Sequence, residues 1–403
     1  MNFKTLKDFD FKGKTVLLRA DLNVPINEDY EITDTTRIDR LKPTIDYLAK
    51  HGAKIIVLSH FGRPNGEKRS SYSLKFTVPT LKSNWGVDVA FADDCIGAPA
   101  QAMKDNLKPG QIGLLENVRF YKGEEANDIG FAKELAKLGD IYINDAFSAS
   151  HRAHASTEAI AHILPSGAGF MVEAELKALH AALENPEKPV AAVVGGAKIS
   201  TKLDILNNLV EKVDILVLGG GMANTFMHAM GIDVKASLCE TDMVDQARAI
   251  MKKASKTGCD LVTPVDVVVD VMMKEKGVPP DFCPIYDVPP AHMILDIGPQ
   301  TLKLLKKKLG TCKTVVWNGP LGAFEIKPFD EGTVRMAKFI AEQTQAGNMK
   351  SVAGGGDTLA ALEAAGVADK FTYVSTAGGA FLEWLEGKTL PGIAALCGMK
   401  HAA

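Results

Sequence analysis

The stretch Lys54-Ile55-Ile56-Val57-Leu58, followed by Ser59-His60-Phe61-Gly62-Arg63-Pro64, decides the fold class of this chain. The first part is a nearly continuous apolar run, which is typical of a parallel strand buried on both faces. The second part brings a histidine, a glycine and an arginine to the end of that strand. Because open α/β sheets bind ligands at the carboxyl ends of their strands, the stretch predicts a parallel sheet with a polar site at its edge.

Similar apolar runs alternate with helical patterns along the whole chain. In the first half they occur at 15–18, 111–115 and 140–143, and in the second half they run from 190–194 to 372–375. Since strands that alternate with helices form parallel sheets covered by helices, we expect an α/β protein. The fold class predicted is two doubly wound, Rossmann-like parallel-sheet domains joined by a hinge helix.

The chain length and one charged helical stretch predict where the domains divide. At 403 residues the chain exceeds the usual size of a single core. A helical pattern from Glu173 to Glu184 stops at Asn185-Pro186. We therefore expect a first domain at 1–172, a linker or hinge helix at 173–188, a second domain at 189–388 and a C-terminal segment at 389–403.

The composition is that of an ordinary globular protein, with 46% apolar and 24% charged residues. A net charge of −3 argues against nucleic acid as a partner. No apolar run reaches the ~18 residues that cross a bilayer, so we expect no membrane partner. The six cysteines are scattered without a C-x-x-C pair, which favours free thiols in a reducing cytoplasm.

The arginines are distributed unevenly, with seven of nine before residue 153. Arginine offers a planar fork that binds phosphate or carboxylate in two places. Four of these arginines follow predicted strands, which favours a site for a small, highly charged anion: Arg19, Arg63, Arg119 and Arg152.

Other polar residues near these strand ends permit two interpretations. Asp21 and Asn23 can bind substrate hydroxyl and carboxyl groups, or they can bond their own backbone in a turn. The histidines His60, His151 and His154 lack the spacing of metal ligands, so structural or hydrogen-bonding roles are favoured over catalysis.

The second half contains glycine clusters at predicted strand ends, where backbone N–H groups can approach a polyphosphate. They are Gly195-Gly196, Gly219-Gly220-Gly221, Gly354-Gly355-Gly356 and Gly378-Gly379. The chain has no Walker loop, and the missing third glycine of G-x-G-x-x-G disfavours a dehydrogenase. These clusters predict a mononucleotide site.

Charged residues beside the glycine clusters fit the same site. Lys198 in the loop and Lys202 in the first turns of the next helix can reach phosphates, and Glu325 is a candidate for ribose hydroxyls. Asp357 can hold Mg²⁺, which prefers oxygen ligands; alternatively, it is only a helix N-cap. One half of the chain thus suits an anion and the other a nucleotide, the layout of a bisubstrate phosphotransferase.

These motifs, in this order, resemble the phosphoglycerate kinase family over essentially the full length. The resemblance extends from Arg19-Ala20-Asp21-Leu22-Asn23-Val24-Pro25 to Leu390-Pro391-Gly392. Between them lie Glu116 through Arg119, Lys122-Gly123-Glu124-Glu125, Asn144-Asp145-Ala146-Phe147 and His151-Arg152. The resemblance implies a monomeric, two-domain hinge enzyme of glycolysis that interconverts 1,3-bisphosphoglycerate plus MgADP with 3-phosphoglycerate plus MgATP. It also implies that the segment after Leu390 packs on the first domain.

The resemblance also implies roles for single residues. Those for the phosphoglycerate are Asp21, Asn23, Arg37, His60, Arg63, Arg119 and Arg152. Those for adenosine are Gly195, Gly219, Gly220, Leu321 and Glu325, and those near the phosphates and Mg²⁺ are Lys202, Asn318, Gly355, Gly356, Asp357 and Thr358. The transferred phosphoryl group is expected to meet Arg37, Lys198, Gly378 and Gly379.

The chain departs from the family pattern at a few positions, of which Ala377 is the most consequential. The family usually has glycine there, and a methyl group restricts φ, so the turn before Gly378 is the least certain expectation. Phe61 and Ser148 stand where leucine and glycine are common, and neither change removes a charge. Two other functions stay open: a different ATP-dependent carboxylate kinase, separable by its acceptor, and a non-catalytic nucleotide-binding or scaffold protein.

Overall fold

The computed structural model describes residues 3–271 and 281–399. The chain divides into two compact units, one containing the residues up to Leu176 together with those from Thr389 onward, and the other containing Lys177–Lys388. Within the described residues, no helix combines the length and the apolar character that a bilayer span requires.

The first unit contains a six-stranded, all-parallel sheet in the order β3-β4-β2-β1-β5-β6. Its strands are β1 Thr15–Arg19, β2 Lys54–Leu58, β3 Val89–Ala92, β4 Ile112–Leu115, β5 Ile141–Asn144 and β6 Ser166–Ala168. Its helices are α1 Thr36–Lys50, α2 Val78–Trp85, α3 Gly97–Asn106, α4 Lys122–Glu125 and α5 Ile129–Ala136, and α6 Phe170–Leu179 follows the last strand.

Helix α1 shows how the sequence pattern forms the core of this unit. Its apolar residues Ile38, Leu41, Ile45 and Leu48 recur at helical spacing and are all buried. They pack in one cluster with residues of β1 and β2, whose side chains are buried on both faces of the sheet. Burial of this stripe fixes the start of α1, and therefore Arg37, beside the end of β1.

The second unit contains a six-stranded parallel sheet and a separate three-stranded antiparallel sheet. Its strands are β7 Val190–Val194, β8 Ile215–Leu218, β9 Asp260–Val262, β10 Asp266–Asp270, β11 Asp281–Pro284, β12 Met293–Ile297, β13 Thr314–Asn318, β14 Lys350–Gly354 and β15 Tyr373–Ser375. Its helices are α7 Leu203–Leu209, α8 Gly220–Ala229, α9 Val244–Thr257, α10 Pro299–Leu309, α11 Glu331–Gln345, α12 Gly356–Ala364 and α13 Gly378–Leu385.

The parallel sheet runs β9-β8-β7-β13-β14-β15, which is the 3-2-1-4-5-6 order of a doubly wound nucleotide-binding sheet. The three-stranded sheet β11-β10-β12 was not predicted from the sequence. It packs over its own cluster of apolar residues, which includes Val267 and Val269 of β10 and Met227 of α8. The two expected doubly wound sheets are therefore confirmed, with one antiparallel sheet added to the second.

The expected linker is helical as far as Glu184, and the C-terminal segment belongs to the first unit. Helix α6 continues into a π-helical turn at His180–Glu184, and the division between the units falls inside α6 rather than at its ends. The last helix, α14 Pro391–Leu396, is buried, and the Gly392 N–H donates to the carbonyl of Ser150 at 2.9 Å.

Candidate active site

The first unit gathers polar side chains where β1 lies beside β5, the point at which the winding of the sheet reverses. Arg37 Nη1 donates to Asp21 Oδ2 and to the carbonyl oxygen of Asn23, both at 2.8 Å. Asn23 Oδ1 accepts the N–H of Gly62 at 2.9 Å. Hydrogen bonds thus hold together the loops after β1 and β2 and the start of α1.

The Asp21 carboxylate has further partners within the protein. Its Oδ1 accepts the N–H of Asn23 at 3.0 Å, so the turn interpretation of this residue is correct in part. Ser148 Oγ donates to Oδ2, the oxygen that also binds Arg37. Ser148, noted only as a departure from the family, is therefore a member of this cluster.

Arg119 brings a buried positive charge to the same cluster. Its Nη1 donates to the carbonyl of Gly62 at 2.9 Å, and its Nε lies 3.4 Å from Glu125 Oε1. Burial, with the nearby charges of Arg19 and Arg152, lowers the pKa of Arg119 to about 10, against the attraction of Glu125. Arg119 is therefore still a cation at pH 7.

Two of the remaining predicted arginines lie at the surface, and one does not. Arg63 and Arg152 are exposed, so their guanidinium groups are open to an anion. Arg19 is only 1% exposed, and its Nε donates to Ser156 Oγ at 2.8 Å. Arg19 therefore lies beneath the cluster, and its inclusion among the strand-end anion ligands is corrected.

His60 and His154 lie near these arginines and have lowered pKa values. His60 is buried and its Nδ1 lies 3.0 Å from Arg19 Nη2. Burial first, and the surrounding arginines second, lower the pKa of His60 well below its ordinary value. The same causes lower the pKa of His154 to about 3. Both imidazoles are neutral at pH 7, and no group of three metal-ligating side chains occurs in the described residues.

The second unit forms its cleft where β7 lies beside β13, again at the reversal point of the winding. The Gly195 N–H donates to the carbonyl of Asn318 at 2.8 Å. A Cβ atom at Gly195 would lie 1.8 Å from the carbonyl oxygen of Pro320. Glycine is therefore required at 195 because the two strand-end loops touch there.

The cleft has a volume of about 300 Å³ and a largely apolar lining. Gly220, Leu321, Glu325 and Asp357, which are among the expected nucleotide ligands, line it. The Gly220 N–H donates to the carbonyl of Leu321 at 2.8 Å, and a Cβ atom at Gly219 would lie 2.6 Å from the Leu321 side chain. The glycines that open α8 thus serve loop packing as well as ligand approach.

Several wall residues of the cleft were missed by sequence reasoning. Asn224 of α8, Leu238 and Asp296 of β12 line it, and the last belongs to the unpredicted sheet. Asp296 accepts the N–H groups of Gly332 and Ile297 at 2.7 and 2.8 Å. No local signal identified Asp296, because its position depends on the packing of β12 against the start of α11.

A polar group lies beside the cleft at the ends of β13 and β14. Lys202 Nζ donates to Asn318 Oδ1 at 2.5 Å, and Asn318 Nδ2 donates to the carbonyl of Gly354 at 2.7 Å. Thr358 Oγ accepts the N–H of Gly319 at 2.7 Å. Burial lowers the pKa of Lys202, whereas Asp357 acts to raise it. The structure thus brings these predicted phosphate-side residues together.

Of the two charged residues in this group, Asp357 is exposed and Lys202 is half-buried. Helix α7 begins at Leu203, so Lys202 is its N-cap residue and not part of its first turn. Helix α12 has Gly355 as its N-cap residue and begins at Gly356, so Asp357 is its second residue. The N-cap interpretation of Asp357 is therefore wrong. Its exposed carboxylate lines the cleft at a helix N-terminus and suits a cation that carries phosphate ligands.

The last glycine pair begins a helix, as predicted. Helix α13 starts at Gly378, which leaves the N–H groups of Gly378 and Gly379 in its first turn. Ala377 precedes it with φ −98°, so this turn does not use the positive φ that favours glycine. Lys198 is exposed in the loop after β7. The alanine at 377 is thus compatible with the turn.

Comparisons with known proteins agree with this geometry. The family model described as phosphoglycerate kinase matches residues 6–388. The phosphoglycerate kinase of Rhodospirillum centenum is 59% identical over 98% of this chain and 100% of its own length. The phosphoglycerate kinase of Rhizobium meliloti is 55% identical over 98% of this chain and 98% of its own length. The solved structure of the Coxiella burnetii enzyme superposes with a TM-score of 0.92 at 41% identity, covering 98% of this chain and 99% of that one. For the Pyrococcus horikoshii enzyme the TM-score is 0.80 at 32% identity, with 97% and 98% covered. The chain belongs to the phosphoglycerate kinase family.

Proposed function

We propose that this chain is the phosphoglycerate kinase of its cell and interconverts 1,3-bisphosphoglycerate plus MgADP with 3-phosphoglycerate plus MgATP. The observation that carries the proposal is that one unit carries a cationic polar site and the other a largely apolar cleft with charged residues beside it. The first unit holds a cluster of arginines around Asp21 and Asn23. The second holds a glycine-walled, largely apolar cleft beside Lys202 and Asp357.

The first site suits a small anion with hydroxyl groups. Arg37, Arg63, Arg119 and Arg152 supply positive charge, and Asp21 and Asn23 supply acceptors for hydroxyl groups. We assign the 3-phosphoglycerate to this site. The full set of ligands proposed is Asp21, Asn23, Arg37, His60, Arg63, Arg119 and Arg152.

The second site suits an adenine nucleotide. Leu321 and the glycines provide a narrow, apolar slot for the base, and exposed Glu325 is placed to accept ribose hydroxyls. Lys202 and the N-terminus of α12 face the phosphates. The nucleotide ligands proposed are Gly195, Lys202, Gly219, Gly220, Asn318, Leu321, Glu325, Gly355, Gly356, Asp357 and Thr358.

Magnesium is assigned to Asp357. The exposed carboxylate is free to bind one face of the ion, and Mg²⁺ commonly uses one or two carboxylates with phosphate oxygens and water as its remaining ligands. When bound, the ion neutralises charge on the phosphate oxygens of the nucleotide. The residues of the chain bind the two substrates and align them.

The transfer requires alignment and charge neutralisation rather than proton abstraction. A carboxylate acceptor is already ionised at pH 7, so no general base is needed. We assign neutralisation of the transferring phosphoryl group to Arg37, Lys198 and the N–H groups of Gly378 and Gly379. Direct in-line transfer follows, because the chain has only to hold donor and acceptor in line and exclude water.

We further propose that the two domains close on the substrates about a hinge at 173–188, since water competes for the phosphoryl group at an open site. Small-angle scattering that finds no compaction with both substrates bound would contradict closure. We also propose that the protein works as a cytoplasmic monomer. The free thiols of all six cysteines, which lie within the described residues, support a reducing compartment.

The function is tested by turnover of 3-phosphoglycerate with MgATP, coupled to reduction of the acyl phosphate and followed by NADH loss. Acetate and aspartate serve as alternative acceptors in the same assay. Of the three acceptors, we expect only 3-phosphoglycerate to be turned over, and we expect no turnover without Mg²⁺. Turnover with another carboxylate would indicate a different carboxylate kinase. No turnover with intact MgATP binding would indicate a nucleotide-binding protein without catalysis.

A further inference from the structure

A continuous chain of buried polar groups lies under the anion site of the first unit. Ser156 Oγ donates to Glu124 Oε1 at 2.6 Å, and the Ser156 N–H donates to Glu124 Oε2 at 2.9 Å. The same Ser156 Oγ accepts the Nε–H of Arg19 at 2.8 Å. Arg19 Nη2 lies 3.0 Å from His60 Nδ1. Glu124 and Ser156 are each 0% exposed and Arg19 is 1% exposed.

The direction of the hydrogen bond between Arg19 and His60 is fixed by chemistry. A guanidinium group has only donors, so His60 Nδ1 must be the acceptor of its bond with Arg19. The proton of a neutral imidazole is then on Nε2. Because Ser156 Oγ gives its hydrogen to Glu124, its lone pairs are available to Arg19 Nε–H. Glu124 therefore sets the orientation of Ser156, and Ser156 sets that of Arg19.

We propose that Glu124, Ser156 and Arg19 form a positioning relay beneath the anion site. The relay fixes His60 as the tautomer that carries its proton on Nε2, so that this imidazole donates one hydrogen bond to the bound phosphoglycerate. The tautomer is a property of the unliganded protein, whereas the bond to phosphoglycerate rests on the proposed function.

Two further observations support the relay. Within the described residues, His60 Nε2 makes no hydrogen bond. It is also not one of the fully buried polar atoms without a partner, so this nitrogen is accessible to solvent. Burial and the charges of Arg19, Arg119 and Arg37, with His154, lower the pKa of His60, so the ring is neutral. A neutral imidazole whose unprotonated Nδ1 accepts a hydrogen bond from Arg19 carries its single proton on Nε2. That Nε2 is the accessible nitrogen of His60.

The tautomer is measured by long-range ¹H–¹⁵N correlation on the full-length, ¹⁵N-labelled protein at pH 7, without ligand. His60→Gln identifies the His60 signals by their loss. We expect a protonated Nε2 and an unprotonated Nδ1. A protonated Nδ1, or an imidazolium, would overturn the relay whatever the enzyme turns over.

Ser156→Ala breaks the relay and leaves the residues Arg19 and His60 unchanged. We expect the His60 signals to shift toward a mixture of tautomers. We also expect KM for 3-phosphoglycerate to rise about five- to tenfold, the equivalent of one hydrogen bond, with kcat and KM for MgATP nearly unchanged.

Tyr142→Phe is the matched control. The Tyr142 hydroxyl donates to the backbone carbonyl of Ser156 at 2.8 Å, so its loss also removes one buried hydrogen bond from Ser156. The relay itself is untouched, and we expect the His60 tautomer and KM to stay as in the unmodified chain. Equal effects of both variants, or a KM unchanged in Ser156→Ala despite a shifted tautomer, would overturn the assigned role in binding.

Discussion

Replacing Gly195 by alanine tests whether the nucleotide cleft depends on contact between the two strand-end loops. The new Cβ atom would lie 1.8 Å from the Pro320 carbonyl oxygen and 2.7 Å from its carbonyl carbon. Close C···O contacts in proteins are about 3.3 Å, so the loops must separate by about 1.5 Å. That movement breaks the 2.8 Å hydrogen bond from the Gly195 N–H to the Asn318 carbonyl.

The expected cost follows from this displacement. Overpacking of this kind costs about 1–3 kcal/mol, and the lost hydrogen bond adds about 1 kcal/mol. Asn318, which binds Lys202, moves with its loop. Because a misplacement of about 1 Å can cost about a hundredfold in rate, we expect kcat/KM for MgATP to fall on the order of 10²-fold.

The assay is the coupled turnover of 3-phosphoglycerate at varied MgATP, with urea unfolding for stability. Gly356→Ala is the stability control, because its Cβ would meet no atom within 4 Å among the described residues. This control should match or slightly exceed the unmodified chain in free energy of unfolding. If Gly195→Ala keeps both its stability and its kcat/KM for MgATP, the assigned loop contact is wrong.

The remaining predictions concern charge. Arg37→Ala and Lys198→Ala should each lower kcat on the order of 10²-fold, because each removes a charge assigned to the transferring phosphoryl group; near-normal turnover in the coupled assay rejects the assignment. Burial, with Asp330 and Glu331 nearby, raises the pKa of Asp296 to about 7. The ordinary pKa of Asp is about 4, so stability present below pH 4 is lost progressively as pH rises to about 7. Asp296→Asn should flatten this loss in urea unfolding between pH 4 and 7, and an unchanged slope would argue against it.

The parallel sheets were predictable because most of their strands are short apolar runs; β3 and β6 were not predicted. The runs at 54–58 and 190–194 match β2 and β7 residue for residue. The sheet of β10, β11 and β12 was missed because its burial pattern is uneven, with β11 largely exposed. Its strands are stabilised by contacts with α8 and α10, which no local pattern contains.

The candidate site was predictable where residue type alone indicates the chemistry, and it was not predictable where the position of a side chain depends on packing. Strand-end glycines and charges pointed to Lys202 and Asp357 directly, whereas Arg37 was expected only from the family resemblance. Whether an arginine faces solvent or the interior is decided by tertiary contacts. Arg19 therefore looked like Arg63 in the sequence, yet only Arg63 is exposed.

The central claim is that each unit binds its own substrate. It is tested most directly by calorimetric titration of Arg119→Ala and Lys202→Ala with 3-phosphoglycerate and, separately, with MgADP. Removing one buried, charged partner of a ligand costs about 2 kcal/mol or more, which is roughly thirtyfold in affinity. We expect Arg119→Ala to lose affinity for 3-phosphoglycerate alone and Lys202→Ala for MgADP alone. Loss of both ligands in either variant, or of the opposite ligand, would contradict the account.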